Sequence, residues 1–172
     1  MMRAFFVLPV LLFLFANYSA AQSSGGEGMK ISCPEFKNNA TMPSRFTCEG
    51  EEVSPPLVIE GTPQNAQSLA LIVDDPDAAR GVWVHWVVFD IPPRTSRIEE
   101  NSVPGKLGMT DSGKKDYHGP CPPSGTHRYF FKVYALDIML NLSEGTTRSR
   151  LEEAMQGHIL DKAELVGLYK RK

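Results

Sequence analysis

The sequence predicts a mostly β, antiparallel two-sheet sandwich with short peripheral helices near the C-terminus. Three observations carry this reading. Apolar runs of strand length, rich in Val, Ile and aromatic residues, recur between Pro and Gly punctuation. The run 82–91 (VWVHWVVFDI) is apolar on both faces, as expected of a strand in the middle of a packed structure. Helical signal is confined to the end of the chain, which favours strands packed on strands with helices added at the edge.

In order along the chain, residues 22–29 are rich in Gly and Ser and read as a flexible linker. A domain spanning 30–172 follows, with no comparable break. Leu57-Val58-Ile59 is bracketed by Ser54-Pro55-Pro56 and Gly61-Thr62-Pro63. Residues 68–73 (SLALIV) form a strand that stops at Asp74-Asp75-Pro76-Asp77, and Pro92-Pro93 stops the run 82–91. Residues 128–137 (RYFFKVYALD) form a second long strand. Thr147 caps a helix that carries Leu151, Ala154 and Met155 on one face and closes at Gly157. Residues 161–167 are expected to add a short helical turn.

The N-terminus differs from the rest. Arg3 precedes the apolar run Ala4 to Ala16, and small residues at Ser19 and Ala21 precede Gln22. This is a secretory signal over 1–21, too short to span a membrane, which needs about 20 apolar residues. The expectation is a periplasmic or secreted protein without stable membrane insertion after cleavage. A formal net charge of -2 gives no field that would draw in nucleic acid.

In an oxidising compartment the cysteines Cys33, Cys48 and Cys121 matter, and an odd number leaves at least one unpaired. Asn38-Asn39-Ala40 reads as a turn. A hairpin centred there would face Cys33 against Cys48, so that pairing is preferred, with Cys48–Cys121 as the alternative.

Two of the four histidines sit on the two long strands. Alternation puts His85 on one face with Trp83, Val87 and Phe89, and His127 on one face with Tyr129, Phe131 and Val133. Pro76 stiffens Asp75-Pro76-Asp77 into an acidic turn able to hold a histidine by its ring N–H. The segment 117–129 has three prolines and two glycines within 119–125, a rigid loop that fixes His127 and Tyr129 at a rim. His118 and His158 read as structural. No Ser or Cys occupies a nucleophile motif, and no enzyme activity is expected.

At this point DPDA (75–78), WVHWVV (83–88), DIP (90–92) and GPCPPSGTHRYFFKVYALD (119–137) together resemble the phosphatidylethanolamine-binding proteins, in particular their bacterial Raf-kinase-inhibitor-like branch. FTCEGEEVSPPL (46–57) and AMQGHIL (154–160) fit as well. The resemblance implies the family's two-sheet sandwich and a small anion pocket at the surface. By motif, the pocket residues would be Asp75, Asp77, Trp83, His85, Pro122, His127 and Tyr129. It implies a small anionic or phosphoryl ligand and no cofactor or metal. It also implies a protein partner in a protease or kinase pathway, since family members act mostly as binders and inhibitors.

The sequence departs from the family at Ala79, where Pro is usual, and at Asp90, where Asn is usual. The C-terminal helix that covers the pocket in vertebrate members is not expected here. A more open pocket is therefore expected. Because a carboxylate raises the pKa of a neighbouring imidazole, His85 or His127 is expected to be cationic near neutral pH. Anion affinity should then fall as pH rises.

Overall fold

The computed structural model describes residues 28–172. The signal sequence expected over 1–21 and most of the expected linker fall on residues outside those described. Nine strands form two sheets: β1 (Lys30–Ser32), β2 (Ala40–Thr41), β3 (Leu57–Glu60), β4 (Ser68–Asp75), β5 (Trp83–Ile91), β6 (Arg97–Ile98), β7 (Lys106–Leu107), β8 (His127–Leu136) and β9 (Ile159–Tyr169). The smaller sheet has the order β1-β3-β6, and the larger has the order β2-β9-β8-β4-β5-β7. All pairings are antiparallel except the short parallel contact of β2 with β9.

The large sheet has apolar residues on both sides. On one side Leu69, Leu71 and Val73 of β4, with Trp86, Phe131 and Val133, pack against Ile31, Leu57, Ile59 and Ile98 of the small sheet. On the other, Ala70 and Ile72, with Val84, Val87 and Phe89, receive Leu151 and Met155 of the helix α1 (Arg148–Met155). β4 and nearly all of β5 are buried, as their two-sided apolar patterns predict. Burying side chains of this size contributes about 1.5–3 kcal/mol each. These central strands therefore form the rigid base for whatever their ends carry.

Thr147 caps α1, its side chain accepting from the Arg150 N–H, and Gly157 adopts φ 79° just beyond the helix. Asp74, buried inside the sheet, is compensated by Lys132 Nζ at 2.8 Å from both oxygens and by Arg148 at 3.2 Å.

Three expectations are corrected. Residues 161–167 belong to β9, not to a helical turn. Their helix-forming composition is overridden because Ala163, Leu165, Gly167 and Tyr169 alternate with Lys162 and Glu164, supplying the inner face of the strand that pairs with β8. At Gly167 a Cβ would come within 2.4 Å of Met42 Sδ, so a larger residue there would force the buried Met42 side chain to move.

The turn at Asn39 (φ 60°) does not make a hairpin. It delivers β2 alongside β9, with Asn39 N–H donating to Val166 O. Cys33 and Cys48 are therefore not opposed. The disulfide is Cys48–Cys121, with Cα atoms 5.4 Å apart, and Cys33 is a free, buried thiol. Met29, assigned to the linker by composition, is buried in the core, its N–H bound by Asp161 Oδ2 at 2.8 Å.

Candidate functional site

The C-terminal end of β4, the start of β5 and the start of β8 meet at one end of the large sheet, along its central strands. Antiparallel pairing sets Asp75 opposite Trp83 and Asp74 opposite Phe130. This brings the Asp-Pro-Asp corner beside the first residues of β8. Asp75 is buried. Its Oδ1 accepts the Asp77 N–H at 2.8 Å, a local turn bond. Its Oδ2 accepts Nδ1–H of His127 at 2.7 Å. The His127 ring is thereby fixed in orientation, with Nε2 its remaining polar atom.

His85 arrives by a different route. Along β5, Trp86 pairs with Val73 and Val84 with Asp74, so His85 is an extra residue in a β-bulge. The bulge overturns strict alternation. His85 does not share a face with Val87 and Phe89, which pack under α1. It stands on the opposite side, its ring edge-on to Tyr129 with centroids 5.1 Å apart.

His85 is also tied to the loop before β8. Its Nδ1–H donates to His118 O at 2.6 Å, and His118 N–H donates back to His85 O at 2.8 Å. The two rings stack with centroids 5.7 Å apart. His118 Nδ1 lies 3.1 Å from Glu52 Oε1, which also accepts the Gly119 N–H.

These residues line a cleft of about 230 Å³, with Trp83, Ala78, Ala79, Cys121, Pro122 and Pro123 on its walls. The volume suits a small ligand or a head group rather than a large cofactor. Of the predicted site residues, Asp75, Trp83, His85, Pro122, His127 and Tyr129 all line it. Asp77 stands outside. Its carboxylate grips Arg128 through Nη2 at 2.6 Å and Nε at 2.9 Å, and accepts the Arg128 N–H at 3.0 Å. That guanidinium holds the Asp77 carboxyl down to about 2. Asp77 thus fixes the corner from behind.

His118, expected to be structural, lines the cleft instead. Its place next to Gly119-Pro120 in the loop was the available signal, but the paired hydrogen bonds that tie it to His85 were not readable from sequence. Among the described residues no group of three or more His, Cys, Asp or Glu side chains is arranged to hold a metal ion.

The electrostatics differ from expectation at His85. Burial pushes its pKa down to about 4 despite the His118 carbonyl and the nearby carboxylates, so the ring is neutral at neutral pH. The charged form would lose hydration that Asp75 does not replace, because Asp75 is spent on His127 and Asp77. The Tyr129 hydroxyl is pushed well up, first by burial and then by Asp75 and Asp77, and stays a neutral O–H donor. Among the described residues the Tyr129 hydroxyl and both free Nε2 atoms have no protein partner. None of them is sealed from solvent either.

The comparisons with known proteins agree with this architecture. A family model described as phosphatidylethanolamine-binding protein matches residues 32–170. A relative from Methanothermobacter thermautotrophicus, described as a UPF0098 protein, is 52% identical over 83% of this chain and 99% of its own length. One from Pyrococcus abyssi is 45% identical over 97% of this chain and 99% of its own. Among solved structures, a putative phosphatidylethanolamine-binding protein homologue from Chlamydia trachomatis superposes with TM-score 0.82 at 38% identity. It covers 84% of this chain and 99% of that one. An E. coli protein described as a new member of the mammalian family gives TM-score 0.78 at 26% identity, over 85% and 100% of the two chains. The chain belongs to the phosphatidylethanolamine-binding protein family.

Proposed function

We propose that this protein is an exported binding protein whose cleft takes a small oxyanion, such as a phosphoryl group, with no chemical turnover. The observation that carries the reading is the convergence of three unspent polar atoms in one small cleft. They are Nε2 of His127, Nε2 of His85 and the hydroxyl of Tyr129. The Asp75 carboxylate stands behind His127 and faces its Nδ1, so it orients the ring without meeting the anion. With Nδ1 committed, His127 donates to an anion only when Nε2 carries a proton, so binding is coupled to a proton on this ring. The apolar wall of Trp83, Ala78, Ala79 and Pro122 strengthens such contacts by excluding water.

Export is supported by the Cys48–Cys121 disulfide, a bond that persists in oxidising compartments. A protein partner in a protease or kinase pathway would engage the same cleft by presenting a phosphorylated or acidic side chain. Titration calorimetry with inorganic phosphate tests the proposal. Binding that weakens by about 1.5–3 kcal/mol in His127→Ala supports it. Absence of phosphate binding, or binding indifferent to His127, overturns it.

A further inference from the structure

His85 makes the cleft more selective than a simple cationic pocket. Its Nδ1 lies 2.6 Å from the carbonyl oxygen of His118. A carbonyl only accepts, so Nδ1 carries the proton of the neutral ring and Nε2 carries a lone pair. The side chain is 4% exposed, yet its Nε2 has no protein partner and is not sealed off. The cleft is what it opens to. The titratable groups around the ring are His118, stacked on it, Tyr129, edge-on to it, and Asp75, already committed to His127. None of them supplies a proton to Nε2.

Resting on the oxyanion reading above, we infer that the cleft selects anions carrying their own proton, a phosphoryl group with a P–O–H, and that His85 is the selecting residue. Hydrogenphosphate donates that proton to Nε2 of His85 and accepts from His127 and Tyr129 through its other oxygens. Sulfate has the same shape and charge but only acceptor oxygens, so it sets a lone pair against a lone pair and leaves a buried polar atom unpaired. A phosphodiester is proton-free in the same way. The site is therefore tuned to free phosphate, which keeps a P–O–H at neutral pH, over a phosphodiester head group. The burial that keeps the His85 ring neutral maintains this preference at neutral pH.

The test is calorimetry near neutral pH on the protein without its leader, using inorganic phosphate, inorganic sulfate and dimethyl phosphate in a non-coordinating buffer. Phosphate is expected to bind at least about tenfold more tightly than sulfate, the ratio produced by leaving one buried polar group unpaired. Sulfate or dimethyl phosphate binding as tightly as phosphate overturns this inference and leaves the oxyanion reading standing. No binding by any of the three overturns both. In His85→Gln, whose amide both donates and accepts, the ratio is expected to collapse through a gain in sulfate affinity. A ratio unchanged in a folded His85→Gln protein also overturns the inference. The wild-type comparison stands whatever the stability of that variant.

Discussion

The Nδ1 atom of His127 lies 2.7 Å from Oδ2 of Asp75, with both side chains largely buried. The two residues are separated by 52 positions in sequence, and only the pairing of β4 with β8 brings them together. Asp75 is thus a positioning residue for the ring that meets the ligand. Asp75→Asn keeps the shape and can still accept the Asp77 N–H, but it removes the charge that faces Nδ1. Phosphate affinity is expected to fall by about 1.5–3 kcal/mol. Calorimetry measures the loss, and ¹⁵N spectra of the imidazole show whether the tautomer has shifted. Unchanged affinity with an unchanged tautomer would show that the carboxylate has no such role.

His85 imposes a pH dependence on stability. Its pKa falls from the ordinary 6.5 to about 4 on folding, so the unfolded chain binds the proton first. Above 6.5 both states are neutral here and the residue contributes no slope. Between about 6.5 and 4 the unfolded state gains protons that the folded state refuses, and stability falls by about 3 kcal/mol. Asp77, held down to about 2, loses its contribution only at lower pH, below the His85 window. Urea titrations at pH 7 and pH 4.5 measure the difference. His85→Asn is expected to flatten the slope in this window, and an equally steep slope in that variant would place its source elsewhere.

The Cys48–Cys121 bond closes a separation of 73 residues and anchors the loop that supplies Pro122 and Pro123 to the cleft wall. For a loop of that size the chain-entropy model gives about 4 kcal/mol. Replacing both cysteines by serine is expected to lower the melting temperature by roughly 10 °C and to weaken phosphate binding. Non-reducing peptide mapping should recover the 48–121 pair. The Cys33 thiol, buried and with its pKa pushed up by that burial, should react with alkylating reagents only after unfolding. Recovery of a Cys33–Cys48 pair would contradict the structure.

What was legible in the sequence, and what was not, follows from how each feature is encoded. The three longest predicted strands end within a residue or two of β4, β5 and β8, because strand-length runs of apolar and aromatic residues bounded by Pro, Gly or Asp leave little freedom. The capped helix at Thr147 was equally plain, since capping is local chemistry. Long-range register was not legible. One extra residue at His85 reverses the face of everything after it in β5, and no residue type announces the bulge. The cysteine pairing failed for the same reason, because the Asn39 turn feeds a parallel contact with β9 rather than a hairpin. The Asp75, His85, His127 and Tyr129 set was identified through motifs. Asp77 supporting from outside, His118 lining the wall and the neutrality of His85 depend on burial and on partners distant in sequence.

The most direct measurement is a titration of inorganic phosphate into protein carrying ¹⁵N-labelled histidine, followed through the imidazole nitrogens. Saturable shifts are expected at Nε2 of His127 and His85. His158, paired with Asp137 at 2.8 Å on another part of the surface, should stay still. Shifts confined to His158, or no saturable change at either His127 or His85, would contradict oxyanion binding in this cleft.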